Sequence, residues 1–324
     1  MGLDRLAMER VMRVGVVFPG QGSQSVGMGG ALLESSPSVA DLFARAQRVL
    51  GYDLAQIVRN GPEETLRQTR YSQPAIFVVN YALAAAAGDA LAPVASAGHS
   101  FGEYCGLTLA AALTFEDALE LVHARALAMQ AAAETAPGAM AAILGLDAER
   151  IREAVAQANK SDGRVQLANF NAPSQIVVSG DRAAVACTGD LALAAGAKRV
   201  VPLNVSGAWH SELMAPARAR FAPYVERATI TVPKFPVISN VDAQPYRDVA
   251  TIRTNLVRSV TEEVRWHAAS ERLLAENLDL IVEFGGSAVL TPLLRRLPSV
   301  PATIHVGDDK AVAALRERLT EGVV

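Results

Sequence analysis

The chain has 324 residues, 51% of them hydrophobic and 19% charged, with a net charge of −3 at neutral pH. This length suggests two domains, or one with an insert, and the apolar content excludes disorder as a description of the whole. The near balance of charge excludes a global pull toward nucleic acid or anionic membrane. Two cysteines, Cys105 and Cys187, cannot build a disulfide framework and suit a reducing compartment. The absence of Cys-x-x-Cys and His-Glu-x-x-His argues against a zinc site.

The first predicted element is a buried strand, Val14–Phe18, too short for a signal-peptide core and followed by Pro-Gly. A glycine-rich loop over residues 20–30 leads into helices over 36–50 and 74–90. The apolar run from 75 to 97 is interrupted by Asn80, Asp89 and Pro93, so it reads as a helix and then a strand, 93–97, not a membrane span. A helix follows through 113. Another covers 114–133, with Thr114 as its cap and Glu116 and Asp117 in its first turn. Strands alternating with helices imply a parallel sheet covered on both faces.

The rhythm then changes. A strand Ala139–Leu144, a helix 147–158, strands 165–170 and 175–179, a helix 181–195 and a strand 199–205 give the order β-α-β-β-α-β of a ferredoxin-like unit. Longer helices return, with a late strand Leu280–Phe284 and His305 in another. The expected fold is α/β: a large, discontinuous, α/β-hydrolase-like domain (1–134 and 205–324) with an inserted ferredoxin-like subdomain (135–204). A soluble, cytoplasmic protein is expected.

Gly98-His99-Ser100-Phe101-Gly102 fits the G-x-S-x-G elbow, in which a serine on a sharp strand-to-helix turn is presented as a nucleophile. A serine needs a base. Among five histidines, His99 should point away from the serine hydroxyl, His123 reads as a solvated helix residue, and His267 and His305 lie in a helical stretch and a late strand. His210 lies in a loop just after the insert ends, where a cleft would form. The acids between Ser100 and His210 include Asp162, Asp181 and Asp190, none in a recognisable triad position, so a dyad with a carbonyl orienting the imidazole competes with a triad. The loop Pro19-Gly20-Gln21-Gly22-Ser23-Gln24 offers backbone N–H groups to an oxyanion. Arg125 sits between alanines in an apolar helix; either an internal acid pairs with it or it awaits a carboxylate ligand.

Together these residues resemble the malonyl-CoA:acyl carrier protein transacylase family, from about Val14 to about Arg296. The markers are Phe18 through Gln24, Gln73-Pro74-Ala75, Gly98 through Tyr104, Arg125, Asn169, Asn171-Ala172-Pro173, His210, Ser239-Asn240-Val241-Asp242 and Val264-Arg265-Trp266. The resemblance implies a ping-pong acyltransferase that binds no cofactor or metal. Malonyl-CoA acylates Ser100, and the phosphopantetheine thiol of an acyl carrier protein accepts the group. It implies His210 as general base, the N–H groups of Gln21 and Phe101 as oxyanion hole, and Arg125 as clamp for the malonyl carboxylate. Gln73, Asn169 and Trp209 would contact substrate, and the Ser259 carbonyl would orient His210. A monomer is expected, serving either fatty-acid synthesis or, as a discrete trans-acting enzyme, polyketide synthesis. The alternative is a hydrolase that removes stalled acyl groups from carrier proteins; it would have no need of Arg125.

Three positions depart from the family pattern. Phe101 replaces an aliphatic residue, and its larger ring is expected to reshape the pocket. Ser259 stands where glutamine is usual, and the stretch Gly285-Gly286-Ser287-Ala288-Val289-Leu290 lacks the usual proline and lysine.

Overall fold

The computed structural model describes residues 12–161 and 163–321. The candidate acid Asp162 and both ends of the expected large domain, 1–11 and 322–324, lie outside the described residues. The strands in chain order are β1 (Val14–Phe18), β2 (Pro93–Gly98), β3 (Ala139–Leu144), β4 (Val165–Ala172), β5 (Gln175–Gly180), β6 (Arg199–Pro202), β7 (Val237–Ile238), β8 (Leu280–Phe284) and β9 (Ala302–Val306).

Five of them form a sheet in the order β7-β2-β1-β8-β9, parallel throughout. The period of two along β1 divides its side chains between two cores. Val14, Val16 and Phe18 enter the main core, whereas Val17 meets Ile238, Ile281 and Trp266 on the opposite face. A strand buried on both sides explains why this segment reads as an unbroken apolar run.

The other four strands form an antiparallel sheet in the order β4-β5-β3-β6. The helices Ala148–Ala158 and Arg182–Ala194 interleave with these strands in the β-α-β-β-α-β order read from the sequence. Ile143, Ile151, Ile176, Val178 and Val185 build a core of their own there. Alternate residues Met140, Ala142 and Val177 face the other way and join the main core.

Several local expectations shift. The helix expected from Pro74 begins at Thr69 and runs to Ala86 with Pro74 inside it. Proline forfeits one backbone bond there, but every residue from Ser72 to Asn80 is buried, and that burial outweighs the local penalty. The helix expected to reach 113 ends at Leu109, and the strand expected to reach 205 ends at Pro202. The helices Leu54–Asn60 and Glu63–Arg67 and the two-residue β7 are too short to show a period. Among the described residues, no helix is long and apolar enough to cross a membrane.

Candidate active site

Ser100 follows β2 and precedes the Gly102–Leu109 helix, with a left-handed φ of +53°. An L-residue rarely adopts this conformation, and it lifts the side chain out of the turn. The flanking glycines are required by space. A Cβ at Gly98 would collide with the backbone of Gly102 and Glu103, and one at Gly102 with the carbonyl of Phe18.

The Ser100 hydroxyl lies 2.8 Å from His210 Nε2. On the far side of the imidazole, Nδ1 faces the carbonyls of Ser259 at 2.8 Å and Glu262 at 3.2 Å. Two acceptors at Nδ1 place the proton there and leave Nε2 free to accept from the serine. Among the described residues no carboxylate touches the ring, and backbone carbonyls take the place on its far side. Asp181 is occupied by Arg164 at 3.0 Å instead. Burial, then the charge of Arg125 and the neighbouring His99, pushes His210 down to about 3, against the opposing carbonyls. The resting imidazole is therefore neutral.

Arg125 is 1% exposed on the Phe115–Thr135 helix. Nη1 donates to Gln73 Oε1 at 2.8 Å and Nη2 to Ser100 Oγ at 3.1 Å, while Nε has no partner. Burial lowers its pKa, yet a guanidinium remains charged. Among the described residues no acid forms an ion pair with it.

The glycine-rich loop follows β1 and closes over the elbow. Asn80 Nδ2 donates to the Pro19 carbonyl at 3.1 Å and Ser23 Oγ to the Gly20 carbonyl at 2.8 Å. Among the described residues, the backbone N–H groups of Gln21 and Phe101 have no acceptor.

A cavity of about 250 Å³ opens over Ser100 between the two sheets. Gln21, Gln73, Arg125, Asn169, Trp209 and His210 all line it, and Met140, Ala142 and Val177 contribute the wall from the antiparallel sheet. A wider hollow of about 490 Å³ adjoins it through Gln21 and Val205.

Phe101 corrects an expectation. Its ring is 1% exposed in the main core and does not line the cavity; it meets the site only beneath Arg125, whose guanidinium lies 5.9 Å from the ring centroid. His123 is a second correction: it is half-buried near Tyr52, its Nδ1 is enclosed, and burial lowers its pKa. His99 turns to Asn171 Oδ1 at 2.8 Å, away from the serine hydroxyl.

Residues 16–299 match the family model for the acyl transferase domain. The chain is 37% identical over 310 residues to the malonyl CoA-acyl carrier protein transacylase of Bacillus subtilis, covering 95% of this chain and 98% of that one. It is 39% identical over 304 residues to the Escherichia coli K12 protein of the same name, covering 93% and 98%. The chain belongs to the malonyl CoA-acyl carrier protein transacylase family.

Structural similarity agrees with this membership. The family member from Coxiella burnetii superposes with a TM-score of 0.91 at 34% identity, covering 95% of this chain and 98% of that chain. A malonyl-transacylase solved in complex with a type II PKS acyl-carrier protein superposes with a TM-score of 0.90 at 38% identity, covering 94% and 99%.

Within this family site, the sequence reading gave no role to Glu103, Gln166 or Asn240. Gln166 Nε2 donates to the carbonyls of His210 at 3.3 Å and Thr261 at 3.1 Å, holding the histidine loop. Asn240 bonds the backbone of Ser100, and Glu103 bonds Asn240. A glutamate two residues into an otherwise apolar helix was the one local signal of burial. Asn240 stands in the Ser239–Asp242 marker with nothing local to reveal its contact, and nothing local marks Gln166.

Proposed function

We propose that the protein transfers a malonyl group from malonyl-CoA to the phosphopantetheine thiol of an acyl carrier protein through an ester on Ser100. One observation carries the reading. The Ser100 hydroxyl is 2.8 Å from a neutral histidine and 3.1 Å from a buried arginine that, among the described residues, has no carboxylate partner. A nucleophile, its base and an anion clamp converge on one atom. The family relatives, and the solved complex of a malonyl-transacylase with an acyl-carrier protein, supply the acyl donor and the acceptor.

The geometry supports a two-step acyl transfer. Ser100 Oγ attacks the thioester carbonyl and His210 Nε2 takes its proton. The free N–H groups of Gln21 and Phe101 hold the developing oxyanion. The C–S bond breaks, and the proton on Nε2 goes to the departing coenzyme A thiolate. In the second half, the phosphopantetheine sulfur attacks the ester, giving its proton to His210, and Ser100 leaves with that proton. Arg125 binds the malonyl carboxylate as a bidentate pair. That pairing also offsets a charge that holds His210 down, so a malonyl substrate makes the base stronger than a neutral acyl group does. The carbonyl of Ser259 orients His210, a role that any side chain at that position permits. Trp209, Gln73 and Asn169 shape the acyl site, and the wider hollow beyond Gln21 suits the arm that carries the thioester.

The chain divides into a large domain, 1–134 with 205–324, and a small one, 135–204. The separate apolar core beneath the antiparallel sheet supports this division.

Hydrolysis of stalled neutral acyl groups has no use for an unpaired buried guanidinium. The deciding experiment measures free malonate release with and without a carrier protein. Transfer predicts that acceptor suppresses release; fast release regardless of acceptor contradicts it.

A further inference from the structure

We propose that Asn240 and Glu103 are positioning residues: Asn240 clamps the backbone of Ser100 through both its N–H and its C=O, and Glu103 fixes which way the Asn240 amide faces. The inference rests on Ser100 being the nucleophile.

The Ser100 N–H donates to Asn240 Oδ1 at 3.0 Å, and Asn240 Nδ2 donates to the Ser100 carbonyl at 3.0 Å. One side chain thus serves the nucleophile as a neighbouring strand would, accepting from its N–H and donating to its C=O. Such a pair of bonds fixes the peptide planes on both sides of Ser100, where φ is +53° and the backbone would otherwise relax. It also occupies the N–H of Ser100, leaving that of Phe101 for an oxyanion.

The clamp works with the amide in one orientation. Reversed, Oδ1 would face the Ser100 carbonyl and Glu103 Oε2, both acceptors, and Nδ2 would face the Ser100 N–H. Glu103 enforces the working orientation. Its Oε2 accepts from the Asn240 backbone N–H at 2.7 Å and, more closely, from Asn240 Nδ2. Its Oε1 accepts from the Tyr246 hydroxyl at 2.5 Å. Glu103 and Asn240 are each 2% exposed, and among the described residues no cation pairs with Glu103. A carboxylate buried without a cation is costly and is satisfied here only by these donors. Neither residue touches the reacting atoms, and the acyl-transfer steps leave both unused.

The test is single-turnover loading of malonyl from malonyl-CoA onto the full chain. Asn240→Ala and the isosteric Asn240→Asp should each slow acylation roughly 10- to 100-fold, the cost of a misplaced reacting group, with KM for malonyl-CoA little changed. Glu103→Ala should slow it as well. Glu103→Gln keeps an acceptor for Asn240 and should restore most of the rate. Because Glu103 acts through Asn240, Glu103→Ala should add no further loss to Asn240→Ala. Where Asn240→Ala fails to fold, Asn240→Asp and Glu103→Gln carry the test. Normal acylation in Asn240→Asp, independent additive losses, or a rise in KM at unchanged kcat would each overturn the proposal. Malonyl loading that persists in Ser100→Ala would instead overturn the nucleophile assignment, so the two failures are distinguishable.

Discussion

Ser100 and His210 share a hydrogen bond of 2.8 Å, and both adopt the left-handed backbone conformation, with φ of +53° and +57°. Among the described residues only six residues other than glycine have positive φ, and two of these six are bonded to each other at the site. Strain of this kind costs about 1–3 kcal/mol per residue and persists only where the surroundings over-determine it. The surroundings do so at both positions. Asn240 brackets the Ser100 backbone; Gln166 holds the His210 carbonyl, and the Ser211 hydroxyl closes the loop onto the Ala208 carbonyl at 2.6 Å.

On the proposed function, the buried Arg125 is the group expected to set acyl preference. Arg125→Ala should abolish the preference for malonyl over acetyl, which is expected to be several kcal/mol, or about 10²-fold or more, because a buried charge left unpaired disfavours neutral substrates. Competition between malonyl-CoA and acetyl-CoA checks this. Unchanged selectivity would reduce Arg125 to a structural residue and revive the hydrolase reading.

Trp209 is the residue expected to limit the room beside the malonyl C2. The indole is 5% exposed and lines the cavity. An added methyl must displace packed aromatic atoms, at a cost of about 1–3 kcal/mol. Malonyl-CoA should therefore exceed methylmalonyl-CoA by roughly 10- to 100-fold in kcat/KM. Trp209→Ser should narrow that ratio while lowering stability by about 3–5 kcal/mol, as removal of a buried aromatic ring does. Equal use of both substrates by the unaltered enzyme would contradict this pocket assignment.

Two buried groups beside the nucleophile oppose each other in the dependence of stability on pH. Burial raises Glu103 from 4.5 to about 7, despite three donors on its oxygens. The folded state thus holds a proton that the unfolded state has lost between those values, and stability falls as pH rises through that window. His210, lowered from 6.5 to about 3, does the reverse: it favours folding above 6.5, and that contribution is lost as pH falls toward 3. The effects offset each other between about 4.5 and 6.5. Glu103→Gln removes one side. Acidification from pH 7 to 4.5 should then cost the variant about 3 kcal/mol more than the unaltered protein. Denaturant unfolding across this range measures it; parallel pH profiles would contradict the burial argument.

General-base catalysis is worth about 10² to 10⁴ in rate, and His210→Ala should lose that much acylation. Near-normal transfer by that variant would remove His210 from the mechanism.

How much was legible in the sequence varies with the reach of the signal. The elbow was readable because its constraints are local: an apolar strand, small residues two positions either side of Ser100, and a helix. Arg125 was readable as a charge in an apolar helix, and the antiparallel sheet through its regular alternation of strands and helices. The Asn240 clamp joins residues 140 positions apart, so its motif was visible while its purpose was not. The burial of the Phe101 ring was not legible because adjacency to a nucleophile fixes the backbone and leaves the side chain free to enter the core. His123 was misplaced because helical spacing alone did not reveal Tyr52 packing beside it.

The most direct test of the account is mass measurement after brief exposure to malonyl-CoA without an acceptor. Acylation at Ser100 predicts one malonyl group per chain, absent from Ser100→Ala and removed when a phosphopantetheinylated carrier protein is added. Undiminished labelling of Ser100→Ala, or a label that the carrier protein cannot collect, would contradict it.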